Sequence, residues 1–338
     1  MQLLNTCKII LSKIIDLTGI YDYRIKSFNL ENNNRSWLIL MYHRVISDHT
    51  QDPFNLGMCV SSNVFEEQLI YLKSHYKIIK LSDMINAYNS GIKIDEKTLS
   101  ITFDDGYYDN LKVALPLLQK HSIPATIFVS TGGLEENKMF WWDRLINAFE
   151  NTDKSTLNLS NININASNIL SLNRFQIKKS LIRLQDILWK HTIPEIQEVI
   201  VEIERELEVS NTKQSLRLTR QQIQQLHEAG IEIGAHTVSH PNLTLVSESE
   251  IVKELKHCKH ELESIINAPV NGFAFPGGRG NERIRTLIAE AGYDYAVSTD
   301  KGVNFDDTDK FCLLRIGMPN TSISDFKRCL SSIIQSTT

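Results

Sequence analysis

Seven short β-rich runs, most of them separated by stretches of helical periodicity, constrain this chain more than any other feature. They are WLILMYH ending at His43, TLSITFD ending at Asp104, ATIFVS ending at Ser130, IEIGAH ending at His236, GFAFP ending at Pro276, YAVST ending at Thr299 and LLRIGM ending at Met318. Helical patterns cover Glu66–Tyr76, Asn110–Lys120, Thr219–Ala229, Ser247–Ile266 and Glu282–Ala291, with a closing helix over Asp325–Ile334. Two of them start with capping boxes, Thr219 with Gln222 and Ser247 with Glu250. A strand, helix, strand rhythm calls for crossover connections between parallel strands, so the chain is expected to be α/β, as a barrel or an open sheet.

One segment breaks the rhythm. Asn151–Asn173 holds seven asparagines in 23 residues, and Phe175–Leu207 then reads as one or two charged amphipathic helices. Residues 134–216 are therefore expected to be a helical, Asn-rich insertion on a main domain formed by 37–133 and 217–338. Its opening stretch FWWDRL, Phe140–Leu145, packs against core or lid, or walls a sugar site. Residues 1–36 form a lead-in whose Leu3, Leu4, Ile9, Ile10, Ile14, Ile15 and Leu17 suit one face of an amphipathic helix. Lys8, Lys13 and Asp16 make it a poor signal peptide and a poor membrane span, which leaves docking on the domain or peripheral contact with a membrane surface.

Formal charge of −4 leaves no basic excess for a phosphate backbone, so nucleic acid is not an expected partner. Five cysteines without a CxxC spacing, Cys7, Cys59, Cys258, Cys312 and Cys329, read as thiols of a reducing cytoplasm.

The residues that carry chemistry stand at the ends of the strand runs, where β/α barrels build their sites. Asp104 and Asp105 in ITFDDGY repel each other when both are ionised, so the pair calls for a cation that neutralises one and leaves the other free. His236 and His240 in GAHTVSH can face one point from a tight loop or a helical turn. Two imidazoles and one carboxylate hold a divalent metal, with Zn²⁺ favoured, and leave a position open to water. The glycines of FPGGRGN, Phe275–Asn281, expose backbone N–H groups to an oxyanion. His43 at the first tip can serve as general acid or positioning group, and Arg315 in the last run can hold a carboxylate ionised. His257 and His260, by contrast, read as solvent-facing helix residues.

TFDDGY, HTVSH and the FPGG loop, in this order, resemble the polysaccharide deacetylase family of carbohydrate esterases, from Leu38 to about Pro319 apart from the insertion. The resemblance implies a distorted, incomplete (β/α) barrel with about seven parallel strands. It further implies Asp104 as the general base and Asp105, His236 and His240 as metal ligands, with the Gly277 amide stabilising the oxyanion. Gly277 stands where the family often has tyrosine, and Phe273, Ala274 and Phe275 stand where many members have an arginine that orients the base. Arg315 or Arg279 is left to replace that arginine. The late Leu-x-His acid motif is absent, and MYHRV resembles a subgroup acting on bacterial surface glycans, which assigns the acid role to His43. The implied activity is N-deacetylation of an amino sugar in a bacterial glycan or lipid-linked precursor. The poor signal peptide points to the cytoplasm, and the lead-in helix leaves room for contact with the inner face of the membrane. The alternatives are hydrolysis of non-sugar amides on the same site and a silent glycan-binding protein.

Overall fold

The computed structural model describes residues 16, 18–23, 36–92, 94, 97–134, 138–162, 164, 169–173, 175–209 and 215–336. Its frame is a curled sheet of seven parallel strands: β1 (Ser36–Tyr42), β2 (Thr98–Phe103), β3 (Thr126–Val129), β4 (Glu232–Ala235), β5 (Gly272–Ala274), β6 (Tyr295–Val297) and β7 (Ile316–Gly317). Around the curl the order is β6, β5, β4, β3, β2, β1, β7. Leu313, just ahead of β7, bridges back to Val297 in β6, so the ring nearly closes. Short strands flank it, Lys77–Ile78 parallel to β2 and Asn304–Phe305 antiparallel to β1. This is the distorted, incomplete barrel expected, and each expected strand falls within a few residues of an observed one.

Alternation along the strands divides the apolar residues into two sets. Leu38, Leu40 and Tyr42 of β1 join Ile101, Phe103, Ile127 and Ile233 in the large core under the helices. Trp37 and Ile39 join Phe128, Ala274, Tyr295 and Val297 in a smaller core. Strand β2 is buried at all six positions, so its hydroxyls need partners. Ser100 donates to the Ile79 carbonyl at 2.9 Å and Thr102 to the Leu40 carbonyl at 2.8 Å.

The helices are α1 (Ser62–His75), α2 (Leu81–Asn89), α3 (Leu115–His121), α4 (Trp141–Asn151), α5 (Ile177–Leu188), α6 (Ile193–Glu206), α7 (Arg220–Glu228), α8 (Glu248–Ile266), α9 (Glu282–Glu290) and α10 (Ile323–Ser336). Both expected capping boxes close, with the Thr219 and Ser247 side chains accepting from the third backbone N–H of α7 and α8. Asn110–Ala114 is wound as π-helix ahead of α3, and the Asn110 amide donates to the His43 carbonyl at 2.9 Å. The site and this irregular turn are thus tied together.

Within 134–216, where one or two amphipathic helices are expected over Phe175–Leu207, there are two, α5 and α6, parted at Trp189–Thr192. The segment also carries α4 and a hairpin of Thr156–Asn158 against Ile169–Ser171. Phe140, Trp141, Trp142, Leu145, Leu184, Leu188, Ile200 and Ile203 share one apolar cluster with Tyr107 from the barrel. The helix expected from Leu3 to Leu17 lies outside the described residues except for Asp16. That residue accepts from Ser324 at 2.8 Å and Lys327 at 3.1 Å, while Asp22 accepts from Tyr71 at 2.6 Å, so the described part of the lead-in docks on α1 and α10. No helix among the described residues is long and apolar enough to cross a membrane.

Candidate metal centre

Neighbouring residues on a strand normally point to opposite faces, yet Asp104 and Asp105 serve one site. The backbone explains it. Asp105 takes φ 74° and Gly106 φ 81°, so the chain turns through the left-handed region as it leaves β2. A Cβ on Gly106 would meet the Val129 side chain at 2.9 Å, so glycine is needed there for space as well as for φ. Asp104 remains in line with the strand while Asp105 swings toward the tip of β4.

The histidine loop is a tight loop and no helix, with Thr237 at φ 66° and His240 at φ 56°. Its turn is held by the Glu254 carboxylate of α8, which accepts from the Val238 and Ser239 N–H groups at 2.7 and 2.9 Å. The His240 N–H donates to Thr237 Oγ1 at 3.0 Å. From the other side, Thr131 and Gly132 N–H donate to the Thr237 and Val238 carbonyls at 3.1 and 2.7 Å. His236 Nδ1 lies 2.8 Å from the Ala274 carbonyl at the tip of β5. That contact requires a proton on Nδ1, which leaves the Nε2 lone pair facing Asp105.

Asp105, His236 and His240 are buried and offer three ligand atoms all within 4.8 Å of one another. Asp105 Oδ1 is 3.4 Å from Nε2 of each histidine. An N–H···O hydrogen bond is shorter, roughly 2.7–3.2 Å. Two ligands about 2.1 Å from one tetrahedral ion are about 3.4 Å apart, so the spacing fits a shared cation. Two further buried atoms, Asp105 Oδ2 and His240 Nδ1, have no hydrogen-bond partner. A carboxylate oxygen so stranded fits a site built for a metal. Burial raises the Asp105 carboxyl, but the facing imidazoles of His236 and His240 outweigh it and hold the group well below the usual range. The ligand is therefore ionised.

Asp104 faces the other way, into the guanidinium of Arg315. Nη1 to Oδ1 is 2.7 Å and Nη2 to Oδ2 is 2.6 Å, a two-pronged ion pair with Arg315 fully buried. Arg315 is fixed in turn by donating through Nε to the Ser298 carbonyl at 2.6 Å and through Nη1 to Thr102 at 3.2 Å. Burial raises the Asp104 carboxyl. The charge and hydrogen bonds of Arg315, with smaller contributions from His236 and His43, reverse this and set it below the ordinary value. Arg315 is thus the cation paired with Asp104, whereas Arg279 is exposed on the next loop. His43 is half-buried at the tip of β1, near enough for its charge to act on both carboxylates. Gly277 is exposed just past β5 at φ 58°, and a Cβ there would meet Trp189 at 2.6 Å. His257 and His260 are exposed on α8, as expected.

The 134–216 segment walls the metal cluster. The rings of Trp142, Trp189 and Phe140 lie 4.6, 5.5 and 6.1 Å from that of His240. Trp141 and Trp142 are buried, so FWWDRL packs against the core, and the half-buried aromatic residue beside the site is Trp189. Trp142 Nε1 donates to the Tyr107 hydroxyl at 2.7 Å, which lies 3.2 Å from an Asp143 oxygen. Burial pushes the Asp143 carboxyl up to about 7. It lines a cavity of about 220 Å³ together with Arg44, Leu56, Met139 and Asn147. Sequence reasoning missed Trp189. The signal that could have found it is the absent side chain at Gly277, whose space some other group must fill.

Comparison with known proteins accords with this geometry. The profile of the polysaccharide deacetylase family matches residues 91–296. YxkH of Bacillus subtilis, assigned to the polysaccharide deacetylases, is 23% identical over 297 residues, which is 87% of this chain and 76% of that one. A poly-β-1,6-N-acetyl-D-glucosamine N-deacetylase of Staphylococcus aureus is 34% identical over 119 residues. That match spans 32% of this chain and 41% of the staphylococcal protein. Among solved structures, the Streptococcus pyogenes deacetylase PplD in complex with acetate shares the fold with a TM-score of 0.61 at 20% identity, over 89% of this chain and 99% of that one. IcaB from Ammonifex degensii does so with a TM-score of 0.57 at 16% identity, over 89% and 97%.

Proposed function

The chain belongs to the polysaccharide deacetylase family, and on that premise we propose that it removes the acetyl group from an N-acetylated amino sugar of a bacterial glycan or lipid-linked glycan precursor. Family and metal-chelating cluster together make it a metal-dependent hydrolase of amide C–N bonds. The observation that carries the reading is the division of labour between the two aspartates. Asp105 joins two imidazoles, while Asp104 stands beside them ionised and paired with Arg315. The staphylococcal relative, named for a polymer of N-acetylglucosamine, supports a hexosamine substrate.

Asp105, His236 and His240 would hold the ion, and the set of two nitrogens and one oxygen suits Zn²⁺. Such an ion polarises an acyl oxygen and makes water a better nucleophile at neutral pH. The protein supplies the rest. Asp104 takes a proton from the water that attacks the acetamide carbon, and Arg315 keeps it in the form able to do so. The Gly277 N–H faces the oxygen on which negative charge develops. His43 gives a proton to the departing amine as the C–N bond breaks, leaving acetate and a free amino sugar. Because Arg315 supplies the cation beside Asp104, the missing arginine no longer favours a silent glycan-binding protein.

The test is acetate release from N-acetylglucosamine oligosaccharides by protein stripped with a chelator and reloaded. Release is expected to vanish on stripping and to return with Zn²⁺. Hydrolysis of a non-sugar amide with no acetate from any glycan would refute the substrate assignment. We place the enzyme at the cytoplasmic face of the membrane, a reading supported by free thiols at Cys59, Cys258, Cys312 and Cys329. Recovery of the protein outside the cell on fractionation would overturn it.

A further inference from the structure

We infer that Trp189, at the turn between α5 and α6, is a substrate-positioning residue that stacks on a sugar ring beside the scissile bond. The inference rests on the deacetylase reading above and extends it to a residue far in sequence from the strand tips.

Three observations converge. The first is shape. Gly277 offers no side chain, and the volume a side chain would fill belongs to the Trp189 indole, whose Cζ2 and Cε2 lie 2.6 and 3.1 Å from the Cβ position. The shorter of these is a distance that real Cβ atoms essentially never show, so the glycine loop and Trp189 are complementary surfaces. The second is attachment. The Trp189 carbonyl accepts from the Asn242 side-chain amide at 3.2 Å, and Asn242 is a buried residue two beyond His240. The turn of the insertion is thus bound to the histidine loop itself. The third is exposure. Phe140 and Trp142 beside His240 are buried, whereas Trp189 is half-buried with its ring centroid 5.5 Å from that of His240. Of the aromatic residues described at the metal cluster, Trp189 retains surface for a ligand.

The chemistry of the substrate fits such a wall. One face of a hexosamine ring is largely C–H, and a flat apolar indole fixes its orientation without competing for its hydroxyl groups. Placed between the Gly277 loop and His240, the indole would orient the sugar ring and leave the acetyl group itself untouched.

The experiment compares wild type with Trp189→Ala and Trp189→Tyr on an N-acetylglucosamine oligosaccharide and on a small chromogenic acetate ester that has no sugar ring, with metal content measured for each. For Trp189→Ala, KM for the oligosaccharide is expected to rise about tenfold, the size of one lost aromatic contact. Ester turnover and metal content should stay near wild type, and Trp189→Tyr should recover most of the loss. Unchanged oligosaccharide KM in Trp189→Ala overturns the inference and leaves the deacetylase reading intact. A fall in ester and glycan turnover alike, not recovered by tyrosine, assigns Trp189 a purely structural role and also overturns it. No acetate from the wild type removes the deacetylase reading and this inference together.

Discussion

Replacing Asp104 by asparagine is expected to cut acetate release by about 10²–10⁴-fold, the usual contribution of a general base, while metal stoichiometry stays at the wild-type value. The reasoning lies in the geometry. The carboxylate oxygens of Asp104 point to Arg315, and it is Asp105 that meets the two imidazoles. Asparagine keeps size and one acceptor for Arg315 but cannot take a proton at neutral pH. Side-by-side assays of metal content and acetate release check both halves. An Asp104→Asn protein that has lost its ion would show that the two aspartates share the ligand role.

Arg315→Met is expected to have the largest effect on stability, a loss of about 3–5 kcal/mol in chemical unfolding, because it leaves a buried carboxylate without its counter-charge. Arg315 is fully buried and also donates to the Ser298 carbonyl at the end of β6 and to Thr102 of β2, so the substitution strands three acceptors. Removing both charges is less costly than removing one. The double variant Asp104→Asn, Arg315→Met should therefore regain part of the loss. Activity carries a second signature. Arg315 holds the Asp104 carboxyl below its ordinary value, so without it that carboxyl titrates at higher pH. The base is then lost earlier on acidification, and the acid limb of kcat/KM moves upward in pH. Equal stability of the single and double variants would show that the pair is not coupled.

Much of the frame was legible because its strands are buried and end in polar residues. TLSITF followed by two aspartates, and EIGA followed by histidine, mark both the strand and its tip. Other parts depend on conformation that residue type does not dictate. Which aspartate meets the histidines follows from the left-handed turn at Asp105 and Gly106. On residue types alone, the two were interchangeable. The partner of Asp104 lies 211 residues away, and a lone arginine just ahead of a two-residue strand gives no hint of its target. The hairpin at Thr156–Asn158 escaped notice because three residues are too few to show alternation. Trp189 looked like one more apolar position at the end of an amphipathic helix. Its role emerges only when α5 is laid over the glycine loop, which is a matter of tertiary packing.

Everything functional depends on one ion shared by Asp105, His236 and His240. X-ray absorption at the metal edge of the loaded protein reads that sphere directly. The expected first shell is two imidazole nitrogens and carboxylate or water oxygen at about 2.0–2.2 Å, present in Asp104→Asn and absent in His236→Ala. A shell containing sulfur, or one that persists unchanged in His236→Ala, would place the metal elsewhere and contradict the assignment.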